Sequence, residues 1–236
     1  MAVTELIASV SDAATRITLY TLSRRILVLD GGVAGGLDMA IEVADAGIAE
    51  VQTMIQAGGT DDQQRNLLRA LHVLNFNLAA DMCDCWPDDD RPRERRHHER
   101  GMEAALYLVG GAFDGMIESG ALANDWWVTG MHQLSLGDPG GSRESWNNAL
   151  RAAQDLARRE GKPDRGSDSI PKVTLISGYL ALAAWLTSNG AEREAAEAAF
   201  ERAAGLFAAA QDDADARYSA GQLRKVAARY APGLAS

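Results

Sequence analysis

Residues 125–150 read DWWVTGMHQLSLGDPGGSRESWNNAL, and this stretch decides the fold. The part up to Leu136 predicts one helix and the part after Pro139 predicts a second, because glycine and proline favour helix ends over helix interiors. Between them, Gly137 and Asp138 predict a tight turn. Small and aromatic residues fall where two antiparallel helices must pack. The stretch indicates a scaffold more clearly than it indicates an activity.

The rest of the chain shows the same helical periodicity, with alanine, leucine and glutamate abundant and no convincing period-two strand. Glycine, proline, asparagine and aspartate signals bound the predicted helices. These helices lie at about 4–29, 37–57, 91–119, 122–136, 140–160, 170–188, 191–211 and 213–230, with a further one between Asp61 and Trp86-Pro87. About nine helices with short connections predict an all-α fold.

Domain organisation follows from chain length and from one long joint. A chain of 236 residues can bury a substantial core, and we predict a single all-helical domain over 1–236. Its parts are an N-terminal helical hairpin at 1–60, a weak helix pair at 61–120, and helix pairs with a C-terminal capping helix at 121–236. The polar, Gly/Pro-rich joint at 160–171 is either a mobile surface loop or a weak subdomain boundary.

Composition and charge argue against two classes of partner. The formal net charge is −10 and the pI is about 4.9, and such a field repels phosphate backbones, so we expect no nucleic-acid partner. The N-terminus lacks the layout of a signal peptide, and the longest nearly apolar run, about 173–186, is too short to span a bilayer. We therefore expect a soluble, cytoplasmic protein with no membrane partner.

The spacing of Cys83 and Cys85 does not suit a relaxed disulfide, which predicts reduced thiols.

The opening stretch resembles a tetratricopeptide repeat over about 123–156. Trp126 and Gly130 stand at the aromatic and small positions of the first helix, and Gly137-Asp138 makes the turn. The small, aromatic and small positions of the second helix are filled by Ser142, Trp146 and Ala149. Glycine and serine let two backbones approach closely, while the tryptophans fill the space between turns.

The repeat is degenerate. Thr129 stands where leucine is usual, Gln133 stands where tyrosine is usual, and no proline closes the unit near Gln154. A looser copy contains Tyr179, Leu182, Ala183, Gly190, Ala196, Phe200 and Ala203. A third copy, around 78–79 and 104–105, is faint. The resemblance implies a right-handed stack of antiparallel helix pairs, tetratricopeptide-like in its C-terminal half, with a non-repeating helical bundle as the alternative.

In proteins of this family the first helices of successive pairs line a concave groove that holds segments of partner proteins, and no cofactor is implied. By the resemblance, the groove residues are Phe76, Asn77, Asn124, Trp127, Met131 and Ser135. Trp127 is the expected exposed anchor, because Trp126 is the better core candidate and its neighbour lies about 100° around the helix. Packing of Trp127 on an adjoining helix is the alternative. The resemblance implies a non-catalytic adaptor for a protein or peptide, with a partly apolar groove and an acidic rim.

A metal- or small-ligand-binding protein, with or without catalysis, is the competing hypothesis. Glu94-Arg95-Arg96-His97 is a single Glu-x-x-His on a predicted helix, a motif that di-iron bundles use twice. Together with Cys83, it predicts a site around Cys83, Glu94 and His97, because thiolate and imidazole are zinc ligands. Buried structural cysteines and solvated histidines are the alternative interpretation. Self-association through apolar helix faces is a third hypothesis.

The arginines of residues 91–100 form the basic cluster of the sequence. Their neighbours include Asp88, Asp89, Asp90, Glu94 and Glu99, so the cluster is almost neutral. We predict a salt-linked helix surface, with a grip on an acidic partner or on RNA phosphate as the alternative.

Overall fold

This computed structural model describes residues 3–29, 33–113, 115–166, 168–210 and 213–234, and the regular secondary structure of these residues is helical. Within these ranges there are ten α-helices, one π-helical turn at Arg25–Leu29, and no strand. The helices are α1 (Val3–Ala8), α2 (Ala13–Arg24), α3 (Gly36–Gln56), α4 (Asp61–Asp81), α5 (Arg95–Val109), α6 (Ser119–Ser135), α7 (Pro139–Arg159), α8 (Pro171–Thr187), α9 (Gly190–Ala209) and α10 (Ala214–Tyr230). The predicted all-α fold is confirmed.

The helix predicted at about 4–29 is divided in two. Helix α1 ends at Ala8, and the carboxylate of Asp12 accepts a hydrogen bond from the backbone N–H of Thr15 at 2.7 Å. This bond satisfies an unpaired donor at the start of α2, as an N-terminal cap does, and it makes a new helix start where the apolar pattern alone predicts none. The glycine break was predicted at 31–36, and its first two residues lie outside the described part of the chain.

The helix predicted at about 91–119 is shorter at both ends. At its start, Asp89 Oδ1 accepts a hydrogen bond from the backbone N–H of Arg91 at 3.1 Å, and Pro92 disfavours helical backbone in the residue before it. Beyond α5, Gly111 has a φ of 88°, in the left-handed region that ends helices. The other predicted helices agree with the structure to within a few residues.

The chain divides into two compact units, and each unit is built from two separate segments. The first unit consists of Met1–Met82 with Arg96–Asp114, and the second of Cys83–Arg95 with Gly115–Ser236. The predicted weak pair at 61–120 therefore contributes residues to both units. The prediction that the whole chain forms a single domain stays a prediction.

In the first unit, helices α2, α3 and α4 pack against one another. Gly47 permits the close approach of α3 to α2, because a β-carbon there would lie 2.9 Å from Tyr20 Cβ. Helix α5 is joined to α3 by a hydrogen bond from Arg100 Nε to Asp45 Oδ1 at 3.0 Å. At the end of α4, Asp81 receives hydrogen bonds from Arg24 Nε at 2.8 Å and Arg24 Nη2 at 2.6 Å.

In the second unit, α6 and α7 form an antiparallel pair. Gly120 faces Leu156 and Gly130 faces Trp146, so the residue numbers run in opposite directions along the two helices. Trp146 is completely buried, and its indole Nε1 donates a hydrogen bond to the Trp127 carbonyl at 3.0 Å. The close approach predicted at Gly130 is therefore found, with Trp146 as the residue that fills the space.

The predicted turn between α6 and α7 is also found. Gly137 has a φ of 90°, and the N–H of Asp138 donates to the Gln133 carbonyl at 2.8 Å. The Asp138 carboxylate then accepts from the N–H of Gly141 at 2.8 Å and caps α7, which begins with Pro139. Glycine supplies the left-handed backbone that other residues avoid, so this short sequence fixes the geometry of the pair.

Helices α7 to α10 continue the second unit, each packed on its neighbour in sequence. At the α8–α9 contact the residues of the looser repeat copy, apart from Gly190, are buried: Tyr179, Leu182, Ala183, Ala196, Phe200 and Ala203. Helix α10 also contacts α8, where a β-carbon on Gly178 would lie 2.8 Å from the methyl carbons of Leu223. The C-terminal half is thus a stack of helices packed in chain order.

The residues that precede α5 form the predicted salt-linked cluster. Asp89 accepts hydrogen bonds from Arg91 Nε at 2.8 Å and from Arg93 Nη2 at 2.7 Å, and the side chain of Arg93 is fully buried. Lys225 on α10 donates to the Trp86 carbonyl at 2.9 Å and to the Asp89 carbonyl at 2.8 Å. The segment is therefore held in the second unit by charge-assisted hydrogen bonds.

Substitution of Asp89 by asparagine is expected to remove an acid-sensitive part of the stability. Partial burial opposes ionisation of Asp89, but hydrogen bonds from Arg91 and Arg93 outweigh it and hold its pKa well below the usual value. Because the folded-state pKa is depressed, the stabilisation is fully present above the unfolded-state pKa near 3.9 and is lost as the pH falls toward the folded-state pKa.

Urea unfolding measured at several pH values checks this expectation. Asp89→Asn should unfold at lower urea than the wild type at pH 7, and the difference should shrink as the pH falls from about 5 to about 2. Asp155→Asn is the matched control, because its partner Arg158 is 55% exposed and pairs of this kind contribute little. A difference for Asp89→Asn that stays constant over the whole pH range would contradict the assignment.

Candidate peptide-binding groove

The expected exposed anchor, Trp127, is buried. Its side chain is 8% exposed, and its ring centroid lies 5.9 Å from that of Trp86 and 6.2 Å from that of Tyr179. The prediction of an exposed Trp127 is therefore wrong, and the alternative, packing on adjoining elements, is what the structure shows. Trp126, expected in the core, is only half-buried. The two neighbours are exchanged because the rings of Trp86, before α5, and of Tyr179, on α8, cover Trp127 rather than Trp126.

The other predicted groove residues of the second unit are also largely covered. Met131 is completely buried, and Asn124 is half-buried. Ser135 is half-buried, and its hydroxyl lies 2.8 Å from the Tyr230 hydroxyl, which donates to Asp84 Oδ2 at 2.7 Å. These contacts connect α6 with α10, so this face of α6 is an internal packing surface of the unit.

In the first unit, Phe76 and Asn77 lie on α4 and are half-buried. Asn77 lines a small cavity beside the Arg24–Asp81 ion pair. Their predicted role in partner binding stays a prediction.

The residues of the alternative metal site are found in separate environments. Cys83 is buried, with Sγ 3.7 Å from His132 Nε2, and burial raises the pKa of its thiol well above the usual value. Glu94 is exposed, and His97 Nε2 lies 3.1 Å from Asp38 Oδ1. Among the described residues, no group of three or more His, Cys, Asp or Glu side chains is arranged to hold a metal ion.

The structure confirms the expectation of buried cysteines but not that of solvated histidines. Cys83 and Cys85 are 1% and 0% exposed, and Gln222 Nε2 donates to Cys85 Sγ at 3.9 Å. His97 and His98 are each only 3% exposed, because α5 turns them toward the inside of the fold. Burial shields the two thiols from solvent and from reaction partners, so they act as small packing residues.

An open groove of about 1050 Å³ lies on another face of the second unit. It is lined by residues of α7 and α9, of the N-terminal half of α8, and of the loop at 164–166. The lining residues on α7 are Glu144, Asn147, Asn148, Leu150, Arg151 and Gln154, and those on α9 are Ala199, Arg202, Ala203 and Leu206. All of these elements belong to the same unit.

Small side chains keep the groove open. The lining residues on α8 are Val173, Thr174 and Ser177, and the Ser177 hydroxyl donates to the Val173 carbonyl at 2.7 Å. On α9, the lining residues Ala199 and Ala203 leave space that larger side chains would fill. Together with Val173, these alanines give the lining an apolar part.

The loop after α7 is anchored to that helix. The N–H of Lys162 donates to the Ala157 carbonyl at 2.8 Å, Gln154 Nε2 donates to the Asp164 carbonyl at 3.2 Å, and Arg158 Nη1 donates to Asp164 Oδ2 at 3.1 Å. The loop lies within the second unit, so it is not the boundary between the two units. Its residues 164–166 line part of the groove.

Sequence reasoning missed this groove. Its residues come from three helices and a loop, and only the contacts between those elements bring them together. One local signal was present, because residues 144, 147, 148, 151 and 154 repeat at helical spacing and are all polar or charged. That pattern marks a polar face of α7, but a solvated face has the same pattern.

Comparison of the chain with protein-family models, with curated proteins and with solved structures finds no match. Within the described residues, no helix combines the length and the apolar character needed to cross a bilayer. The class that the fold defines is an all-α helical stack, and its function has to be argued from the groove itself.

Proposed function

We propose that this protein is a cytoplasmic, non-catalytic, tetratricopeptide-like adaptor that binds a segment of a partner protein in the α7–α9 groove. The observation that carries the proposal is the groove's size and openness, about 1050 Å³ along three helices. Small-molecule pockets are usually about 300–1000 Å³ and enclose most of their ligand. An open groove just above this range suits a peptide segment better than an enclosed small ligand.

The lining supports recognition of a peptide backbone together with its side chains. Asn147, Asn148 and Gln154 carry amides, which offer both donors and acceptors to an extended chain. Leu206 lines the groove and is 39% exposed, so an apolar side chain of the partner would bury it. Grooves that combine an apolar surface with polar edges are used to capture helical and extended segments.

Replacement of Leu206 by aspartate is expected to abolish retention of the partner. The charged side chain would have to be desolvated against the apolar residues of the bound segment. Leu122→Asp is the matched control, because Leu122 belongs to the same unit, is 37% exposed and does not line the groove.

The measurement is an affinity pull-down from lysate of the source cell, with wild type, Leu206→Asp and Leu122→Asp as baits and mass spectrometry as the readout. The proposal predicts a protein that is retained by wild type and Leu122→Asp and lost with Leu206→Asp. Retention of the same proteins by all three baits, or by none, would reject the groove as the binding site. Circular dichroism of each bait confirms that it is folded.

A further inference from the structure

We infer that the α7–α9 groove selects an acidic partner segment that carries both carboxylates and apolar side chains. This inference rests on the proposed function and adds the chemistry of the partner. The sequence alone favours the opposite, because a net charge of −10 and an acidic rim would attract basic partners. The groove differs from the chain as a whole in its local charge.

The lining of the groove carries three arginines and two carboxylates. The arginines are Arg151, Arg165 and Arg202, and the carboxylates are Glu144 and Asp164. Asp164 is already paired, with Arg158 Nη1 at 3.1 Å and Arg165 Nε at 3.6 Å. The groove therefore has an excess of guanidinium groups in a strongly acidic chain.

Arg151 and Arg202 are available to a ligand. Within the described part of the chain, no carboxylate lies within salt-bridge distance of either guanidinium. Arg151 Nη2 donates to the amide oxygen of Asn148, which holds the guanidinium along α7 with its other donors open. Arginine binds carboxylates through two parallel hydrogen bonds, so one arginine on α7 and one on α9 predict acidic side chains in the bound segment.

The other lining residues favour an apolar component in the ligand. Ala203 and Leu206 on α9 and Val173 on α8 also line the groove. A purely polyanionic ligand would leave this surface exposed, and its approach would be opposed by the charge of the whole chain. A short acidic segment is less affected, because charges farther away than about 8 Å are largely screened at physiological ionic strength.

Binding to synthetic peptides tests this inference on the full-length protein. Three fluorescein-labelled peptides share the same leucine positions and differ only in the residues between them, which are all glutamate, all glutamine or all lysine. Fluorescence anisotropy measures the affinity of each peptide for the wild type and for two variants. The first variant is Arg151→Glu/Arg202→Glu. The second is the control Arg143→Glu/Arg159→Glu, an equal charge change at exposed positions of α7 outside the groove.

The glutamate peptide is expected to bind the wild type and the control variant at least about tenfold more tightly than the lysine peptide does. The affinity of the glutamate peptide should fall about tenfold or more in Arg151→Glu/Arg202→Glu. If the glutamine or lysine peptide binds the wild type as tightly as the glutamate peptide, the inference is overturned while the groove remains a peptide site. If none of the peptides binds but single-stranded RNA does, both the inference and the proposed function fail. An equal loss of affinity in the two variants would also overturn the inference, because it would show an effect of total charge.

Discussion

Replacement of Gly130 by alanine is expected to destabilise the second unit by about 3 kcal/mol or more, the upper end of the usual cost of overpacking. A β-carbon at this position would lie 2.3 Å from Trp146 Nε1. The indole cannot move aside easily, because Trp146 is completely buried and its Nε1 is bonded to the Trp127 carbonyl. One methyl group should therefore force the α6–α7 pair apart.

Gly205→Ala is the matched control for this prediction. Gly205 also lies inside a helix, α9, but a β-carbon there would meet no atom within 4 Å apart from the adjacent residues and the nearby backbone of its own helix. Alanine at an open helical position is expected to stabilise the protein by about 0.5–1 kcal/mol. The same substitution should thus have opposite signs at the two sites.

Urea unfolding followed by tryptophan fluorescence measures both variants. All five tryptophans of the chain belong to the second unit, so the signal reports on that unit. Destabilisation of similar size in Gly130→Ala and Gly205→Ala would contradict the account of the α6–α7 contact. It would show that the loss of stability comes from replacing a helical glycine in the second unit and not from the contact with Trp146.

Replacement of Arg24 by methionine is expected to destabilise the first unit by about 2–3 kcal/mol. The change leaves the Asp81 carboxylate, only 4% exposed, without the guanidinium that donates two hydrogen bonds to it. Removal of one member of a fully buried ion pair costs about 3–5 kcal/mol. The expected value here is lower, because the side chain of Arg24 is 27% exposed and water can partly compensate.

Two further variants separate this effect from general consequences of losing an arginine. Arg65→Met removes a pair with Asp62 whose side chains are 59% and 83% exposed, and it should change the stability by no more than about 0.5 kcal/mol. The double variant Arg24→Met/Asp81→Leu removes both charges and should recover much of the loss. Far-UV circular dichroism is the appropriate signal, because the first unit contains no tryptophan. Equal effects of Arg24→Met and Arg65→Met would argue against a buried ion pair.

The fold was predictable where sequence features act locally. The turn at Gly137-Asp138 and the cap of α7 by Asp138 depend on backbone geometry and capping within a few residues. The start of α2 was missed although it is also local, because Asp12 interrupts an apolar pattern that continues across it. Short capping signals are easily hidden inside a long amphipathic pattern.

The candidate site was not predictable in the same way. The resemblance to a repeat family assigned Trp127 to a binding face, but Trp86 and Tyr179, from distant parts of the chain, cover that side chain. Periodicity shows that one face of α6 is apolar and cannot show which neighbour will cover it. The groove of the second unit likewise depends on how α7, α8 and α9 are spaced, a property of the packing between helices.

The interleaved segments of the two units set the order in which the units can be completed while the chain is being synthesised. The first unit cannot be completed until residues 96–114 have left the exit tunnel, although most of its helices emerge earlier. Residues 83–95 of the second unit have to wait longer, because Lys225, which holds the Trp86 and Asp89 carbonyls, is among the last residues made. Until then the Trp86 and Asp89 carbonyls lack the cation that α10 supplies, so the second unit is completed only when nearly the whole chain has been made.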